Sequence, residues 1–428
     1  MLSQLNPHPM RAAIAAEIHA RPVPSISQPV TVIYLAFMKI AGFPVSAREH
    51  LTQFIEQLGT PALDPHEACY YQALERAELR WESHQEFCSY LLIMPQTSQT
   101  YFPDLDLPDW WRQLIQGVPG ELINGIRLEM RMGDTPSDPL TVLPGFFDDK
   151  WIMGSRIVDS TASVWTSYRQ DNEGLTRFLV FNHGLSAFQA GRTCQRLLES
   201  DTYRNVALLG FPLAREVWPE IHSLDDSLSL LTGKISERAQ SDNDQVMLER
   251  ISALSTRNEQ LRARTSFRFS ASRAYSAISL HRLSDLREER WPGTSSLAKF
   301  TERRFLPAMH TCDAADLHLR ELSQRIAQAT ALLRTRVELN QEMQNQKLLD
   351  AISRRSELQL RLQQVVEGLS VIAITYYLVG LFKVALEGKD LLPAWTAMPG
   401  LKAAAIAALA IGVSLYIRRR KRKLLEED

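Results

Sequence analysis

The stretch that decides the architecture is LSVIAITYYLVGLF, residues Leu369–Phe382, near the end of a 428-residue chain. It lies within a longer apolar segment, Val365–Leu386. At about 1.5 Å per residue, that segment is long enough to cross a hydrocarbon layer of roughly 30 Å. A second, alanine-rich segment, Met398–Ile417, follows after a short turn. The pattern predicts a transmembrane helical hairpin within residues 365–417.

Basic residues flank the predicted hairpin on both outer sides. Six of them, Arg418–Lys423, follow the second segment without a break and begin a basic tail, residues 418–428. Arg354, Arg355 and Arg361 precede the first segment. By the positive-inside rule both termini are predicted to be cytoplasmic. The alternative is a helical hairpin buried in a soluble core, which would not need the basic run.

Three polar residues of the first span fall on one helical face: Glu367, Ser370 and Tyr377. A polar face inside a membrane indicates an oligomer seam or a water-lined path. The alternative is that the tyrosines pack against the second span.

Composition narrows the class of protein. Net charge is −1, from 48 basic and 49 acidic residues, so no basic excess points to nucleic acid. The first residues lack a signal pattern, which predicts that the part before the hairpin stays in the cytoplasm. The four cysteines, which are widely spread, are expected to be free thiols: Cys69, Cys88, Cys194 and Cys312.

Strand patterns dominate residues 1–222. Ser46 and Glu49 have capping-box spacing and predict a helix over Ser46–Gly59. Few other helices interrupt the strands, which favours an α+β domain with a mostly antiparallel sheet. The predicted strands are Pro29–Met38, Tyr70–Trp81, Phe87–Met94, Glu121–Met132, Trp151–Asp159, Ala162–Arg169 and Leu175–Phe181.

Residues 223–364 are predicted to be helical. Ser236–Arg290 and Asp313–Gln364 form two long tracts, separated by a break at Trp291–Thr294. Two long helices with one break are expected to pack as an antiparallel pair, the second continuing as a stalk into the membrane. Its later polar stretch is either a solvated face or the lining of an assembly. Its first half has coiled-coil spacing at Leu319, Leu322, Ile326, Ala329 and Leu333.

A few basic side chains are candidates for a binding region. His19 and Arg21 follow a short predicted helix, and His183 precedes a helix that begins after Ser186. Arg192 and Arg196 form a basic stripe on that helix at i, i+4 spacing. These residues could hold an anion. The structural alternatives are helix caps, local ion pairs, and a turn with Gly184 in the left-handed conformation.

The usual catalytic patterns do not occur in this sequence. It has no Walker phosphate loop, no suitably placed GxGxxG, no CxxC and no HExxH. The segment His310–Asp313 and His318 place possible metal ligands close together, but a structural zinc site needs four well-spaced ligands and only three are plausible here. The paired acids Asp148 and Asp149 are adjacent and point apart. We therefore expect no catalytic residue, no cofactor, no metal and no enzymatic activity.

Several stretches together resemble a bacterial family known as domain of unknown function 3422, which comprises uncharacterised membrane-anchored proteins. The resemblance implies a fold and an inner-membrane location, and no activity. It is carried by HARP (His19–Pro22), NHGLSAFQAGRTCQR (Asn182–Arg196), RRFLPAMHTC (Arg303–Cys312), LLRTRV (Leu332–Val337) and VEGLSVIAITYY (Val366–Tyr377).

The order of elements is also similar to that of CorA-type magnesium channels, which are pentamers with the first span lining the pore. This resemblance implies an ion channel or transporter. The channel family carries Gly-Met-Asn at the outer end of its first span, and this sequence does not. Here the outer end of the first span reads Gly380–Leu386, and a ring of Lys383 near a pore mouth would repel divalent cations.

The sequence thus favours a non-enzymatic protein of the bacterial inner (plasma) membrane. We expect a homo-oligomeric binding or scaffold protein, whose cytoplasmic α+β domain binds a protein partner that the sequence does not identify. The alternative is a CorA-like channel or transporter with the first span lining a pore.

Overall fold

The structure of the chain, a computed structural model, divides into two compact units, which are described separately. The first comprises Met1–Arg238 with Glu249–Thr330, and the second Ala239–Leu248 with Ala331–Asp428. The described residues are 8–11, 14, 23–40, 42–61, 63, 67–74, 76–147, 149, 151–236, 244–387 and scattered residues between 400 and 419.

The first unit contains a mixed nine-stranded sheet in the order β2-β3-β4-β1-β5-β8-β7-β6-β9. Neighbouring strands are antiparallel except β5 and β8, which are parallel. The predicted α+β class and the mostly antiparallel sheet are therefore confirmed. The strands are β1 (Val30–Met38), β2 (Cys69–Leu74), β3 (Ala77–Ser83), β4 (Phe87–Pro95), β5 (Glu121–Met132), β6 (Met153–Ile157), β7 (Ala162–Gln170), β8 (Thr176–Asn182) and β9 (Glu289–Arg290).

Seven α-helices are found in the described part of the chain. Helix α1 begins at the predicted capping box, in which Ser46 and Glu49 each accept a hydrogen bond from the other's backbone N–H. The helices are α1 (Ala47–Gln57), α2 (Asp109–Gln116), α3 (Pro139–Val142), α4 (Ala187–Leu208), α5 (Gly210–Ser236), α6 (Asp244–Ser284) and α7 (Leu297–Glu387).

Strand β1 is the centre of the fold because both of its faces are buried. Alternate residues, Val32 and Tyr34 among them, belong to the core cluster that includes Cys194 of α4. The intervening residues Ile33 and Leu35 belong to a second cluster with α1 and α2. Because side chains alternate across a strand, a continuous apolar run is the pattern expected of a strand covered by helices on both sides.

The predicted strand Tyr70–Trp81 is wrong in one respect, because it is two strands. β2 and β3 form a tight hairpin in which Leu74 pairs with Ala77. Tyr70 and Trp81, the two ends of the predicted strand, lie directly opposite each other, and both are buried. Cross-strand burial of two large aromatic side chains therefore favours the hairpin over one long strand.

Helix α7 begins sixteen residues before the predicted start at Asp313 and contains Pro307. Its first turn is capped from outside, because the Glu288 carboxylate accepts hydrogen bonds from the backbone N–H groups of Leu297 and Ala298. Buried side chains on both sides of the proline, including Phe305 and Met309, hold this part against the core. Packing thus outweighs the cost of a proline inside a helix.

Helices α6 and α7 form the predicted antiparallel pair. In the first unit, Asn258 of α6 contacts Leu319 of α7, while Arg273, further along α6, pairs with the earlier residue Asp313. The sequence did not reveal that α5 is a third member of this bundle. Glu220 of α5 accepts a hydrogen bond from Arg257 of α6.

The coiled-coil spacing on α7 marks a buried stripe. Leu319, Leu322, Ile326 and Ala329 of the first unit are each at most 3% exposed, as is Leu333 of the second unit. The stripe is therefore the face that α7 buries within its own chain.

A row of charges crosses the sheet on β5, where Arg127, Glu129 and Arg131 share one face. Both arginines donate to the Glu129 carboxylate, at 3.0 and 2.9 Å, and Glu129 is fully buried. The terminal guanidinium nitrogens of the two arginines also donate to the backbone carbonyls of Ser98, Thr100 and Pro103. The charged row therefore holds the segment 98–103 over the sheet.

We predict that Glu129→Gln destabilises the fold by about 3–5 kcal/mol, because it leaves two buried guanidinium groups without their carboxylate. The matched control is Glu216→Gln, which breaks an exposed pair with Arg264 and is expected to cost less than about 1 kcal/mol. Denaturant unfolding followed by circular dichroism compares the two. Equal losses of stability would contradict the structural role of the row.

Candidate functional site

A long run of exposed apolar side chains forms the last part of α7, in the second unit. Leu369, Ile372 and Tyr376 are 65%, 71% and 76% exposed, and Leu381 and Val384 are similarly open. One described helix, within Leu297–Leu381, is long and apolar enough to cross a membrane, and none of its apolar window is buried. A surface of this kind marks a site of contact with lipid or another protein.

The polar residues of the predicted first span lie on this segment. The Ser370 hydroxyl donates to the Val366 carbonyl at 2.9 Å, and the Thr375 hydroxyl donates to the Val371 carbonyl at 2.7 Å. Each hydroxyl is thus satisfied within the helix, which lets serine and threonine occupy an apolar environment. Tyr377 is exposed and meets the Tyr376 ring edge-on, and Glu367 is half-buried.

Of the predicted second span, Met398–Ile417, only scattered residues are described. The same holds for the turn before it and for the basic tail. One apolar helix is therefore established, while the two-span hairpin and the position of the termini rest on the sequence.

The loop before α4 is built by Asn182, at the end of β8. Its side-chain oxygen accepts hydrogen bonds from the backbone N–H groups of Gly184 and Leu185, and its amide donates to the Leu185 carbonyl. Ser186 then caps α4 in a capping box with Gln189. The expectation of a left-handed Gly184 is wrong, because the asparagine side chain closes the turn without a positive φ.

The predicted binding residues have local structural partners. The His183 ring lies 3.4 Å from the Asp134 carboxylate. Arg192 lies over the Phe188 ring, and Arg196 is 3.7 Å from Asp285. His19 and Arg21 lie outside the described residues.

A small cavity that the sequence did not reveal, with both polar and apolar lining residues, lies between the sheet and α4. Its volume is about 40 Å³, enough for water rather than for a larger ligand. Its polar wall comes from two directions: Arg80, Glu82, His84 and Ser89 from the sheet, and Gln195, Glu199, Thr202 and Tyr203 from α4. One signal was present in the sequence: polar residues 80, 82 and 84 alternate, and residues 80 and 82 share one face of β3.

The charged groups of this cavity are paired. Glu82 lies 3.6 Å from His84, whose ring stacks on Phe87 at 4.2 Å between centroids. Glu199 accepts hydrogen bonds from Gln195 and from Arg282. Contact between the two sides comes from the Tyr203 hydroxyl of α4, which lies 3.5 Å from Nδ1 of His84.

Two groups in the cavity wall could act as nucleophiles if they ionised. Burial raises the pKa of Cys194 to about 12. Burial also raises the pKa of Tyr34 far above its usual value, although the side chains of Ser89 and Thr202 hydrogen-bond to its hydroxyl. Both groups are neutral near pH 7, which is the wrong state for nucleophilic attack.

The residues considered for metal binding do not converge. Cys312 is buried, Asp313 pairs with Arg273, and His318 meets the Trp218 ring edge-on at 5.5 Å. Asp149 pairs with Arg169 at 2.8 Å, and Asp148 lies outside the described residues. No cluster suited to a metal ion is found among the residues that the structure describes.

The fold and the exposed helix define a class: an α+β chain carrying a long helix that can cross a membrane. The chain belongs to the family described as Protein of unknown function (DUF3422), whose model matches residues 6–424. The resemblance noted in the sequence is thereby confirmed.

Comparisons with individual proteins give less similarity than the family model does. No curated protein matches this chain. Among solved structures, it is similar to the full-length CmaX protein, with 12% identity, 76% of this chain and 93% of that chain covered, and a TM-score of 0.16. It is also similar to the CorA magnesium transporter of Methanocaldococcus jannaschii, with 11% identity, 82% and 99% coverage, and a TM-score of 0.14.

We predict that Cys194 resists thiol reagents at pH 8 in the folded chain. With a pKa of about 12, its thiolate fraction is roughly a thousandfold below that of an ordinary cysteine. Ionisation rises only as the pH approaches the raised pKa. Ser353→Cys, at an exposed position of α7, serves as the reactive control, and mass spectrometry of the labelled peptides gives both rates. Comparable rates for the two thiols would refute the buried environment.

Proposed function

We propose that the chain is a non-enzymatic anchored protein of the bacterial inner membrane, whose α+β part is held at the cytoplasmic surface and binds a protein partner. The observation that carries this proposal is the exposed end of α7. Large apolar side chains are exposed around this helix, as at Ile372, Tyr377 and Leu378. A bilayer covers all sides of a helix at once, which one flat protein surface does not.

The proposed anchor has two spans, Val365–Leu386 and Met398–Ile417, with both termini in the cytoplasm. The sequence supports this arrangement through the second apolar segment and the basic run Arg418–Lys423 that follows it.

We further propose that the chain forms a homo-oligomer and needs no cofactor. The paired charges of the cavity and the raised pKa of Cys194 are consistent with a binding protein rather than an enzyme.

The second candidate, a channel or transporter, has one observation in its favour. Glu367, Ser370 and Tyr377 place polar groups along the first span. The Ser370 hydroxyl, however, is already bonded to the Val366 carbonyl of its own helix. In a channel, this polar face would have to point towards the central axis of the assembly, and crosslinking between copies can test that orientation.

The first span can be tested from outside the cell. With Gly388→Cys between the spans, a membrane-impermeant maleimide is expected to label the chain in intact spheroplasts. Adding Ile372→Asp with Leu378→Asp should abolish labelling, since each aspartate near the centre of a span costs about 3 kcal/mol. The control pair, Leu349→Asp with Ile352→Asp, changes equally apolar, exposed positions of α7 and should leave labelling intact. Labelling that persists in the first pair would refute the span.

The location of the termini gives an independent prediction. Green fluorescent protein fused after Asp428 is expected to fluoresce, and alkaline phosphatase at the same place is expected to be inactive, because both report a cytoplasmic end. Fusions before Met1 should behave alike. An active phosphatase at one end alone would mean an odd number of spans and would overturn the hairpin.

A further inference from the structure

We propose that α7 pairs, parallel and in register, with α7 of a second copy of this chain through one apolar seam that the monomer leaves open. This inference rests on the proposed membrane anchor and names the surface that makes the oligomer. The heptad seam consists of Leu348, Ala351, Arg355, Leu358, Leu362, Val365, Leu369, Ile372 and Tyr376, all of which are exposed.

The seam begins where the partner helix within the chain ends. Asp244, the first residue of α6, accepts a hydrogen bond from Asn340 of α7 at 3.1 Å and lies 3.4 Å from Arg336. Leu333, just before this contact, is fully buried. From Gln341 to Gln364, every described residue of α7 is exposed. Among the described residues, the last contact of α7 with α6 thus lies about two helical turns before the start of the seam.

The spacing of the seam is that of a left-handed coiled coil. Its members alternate at intervals of three and four residues, so the mean repeat is 3.5. Arg355 is its one charged member, and a single charged residue at such a position sets register at some cost in stability. The long arginine side chain can carry its charge out to solvent. The other faces of the same stretch are interrupted by polar residues, for example Ser356, Gln363 and Glu357.

The membrane determines the direction of pairing. Two copies anchored by the same span enter the bilayer from the same side, so their α7 helices run parallel and at equal depth. Equal depth places each seam residue opposite its own counterpart. An antiparallel pair would require one copy to leave the membrane.

The area of the seam is sufficient for a specific contact. From Leu348 to Tyr376, at about 1.5 Å per residue, it is roughly 42 Å long, and a helix with its side chains is roughly 10–12 Å wide. Two such strips together bury on the order of 1,000 Å², near the lower bound for a specific interface.

The seam also decides where the polar face points. Glu367, Ser370 and Tyr377 each lie about 100–180° around the helix from the adjacent seam residues at 100° per residue. When the seam faces the partner helix, these three side chains face away from the axis. The heptad seam and a pore lined by the polar face therefore exclude each other.

Disulfide crosslinking of the full-length chain in its native membrane tests the inference. Leu358→Cys and Leu362→Cys place thiols in the seam, while Leu360→Cys places one on the opposite side of the same helical turn with similar exposure. A disulfide needs Cβ atoms about 4 Å apart, whereas the outer faces of two paired helices are roughly 20 Å apart. The four native cysteines are buried, so the unmodified chain is the blank.

We expect mild oxidation to give a dimer band at least about tenfold stronger for the two seam positions than for Leu360→Cys, in keeping with this difference in distance. Glu367→Cys and Ser370→Cys should resemble Leu360→Cys. In mild detergent, Leu362→Gln should shift the chain towards monomer, while Leu360→Gln leaves its size unchanged.

The remaining outcomes overturn the inference in different ways. Strong crosslinking at Glu367→Cys and Ser370→Cys, with none at the seam, would put the polar face on the axis and support the channel. No crosslinking at any position, in a chain that resists carbonate extraction, would remove the seam and leave the anchor. A chain released by carbonate would instead refute the anchor itself.

Discussion

Apolar side chains that a chain does not cover itself must be covered by something else, and in this protein that requirement falls on the second half of α7. Up to Leu333 the helix buries a stripe of leucine, isoleucine and alanine within its own chain. From Gln341 to Gln364 every described residue is exposed, and large exposed apolar side chains continue to Leu381. Exposure of this extent in water would be unfavourable by tens of cal/mol for each Å². The proposed membrane anchor and the proposed pairing of copies would both meet this one requirement.

The first unit shows the opposite situation, since charged groups buried at its sheet form ion pairs within the unit. Glu129 is enclosed by two arginines, and Arg268 forms a two-pronged pair with Glu86 at 2.8 and 3.0 Å. Buried charges are tolerated when they are paired and hydrogen-bonded in this way. Such groups position segments and helices against the sheet. The same pairing removes them from the set of side chains that could bind a charged ligand.

Much of the fold could be predicted because the strongest patterns are local. The apolar run of β1, the capping boxes of α1 and α4, and the bounds of β5 follow from neighbouring residues alone. The Tyr70–Trp81 hairpin could not be predicted, because it depends on two aromatic side chains meeting across strands. The early start of α7 depends on Glu288, which reaches its first turn from a separate segment.

The candidate site was harder to predict for a related reason. His183, Arg192 and Arg196 drew notice because they lie close together in sequence, and each has a structural partner. The small cavity joins residues from β3 and from α4 that are more than a hundred positions apart. Alternation at residues 80, 82 and 84 was visible, but an alternating polar strand is also the pattern of a solvent-exposed edge. Only the packing of α4 against this strand distinguishes the two.

For α7, the decisive question is which face meets the axis of an assembly. Polar residues in a membrane span are usually interpreted as functional, because burying them in lipid costs free energy. Here that cost is small for Ser370, whose hydroxyl bonds to its own helix. The seam constrains the orientation of α7 more strongly, because Leu358 and Leu362 precede the span and would face water without a partner helix. A parallel pair covers them without turning Glu367 inward. In the proposed pair, the need to cover Leu358 and Leu362 outside the membrane would therefore fix the rotation of the helix inside it, which is the basis for proposing an anchored assembly rather than a pore.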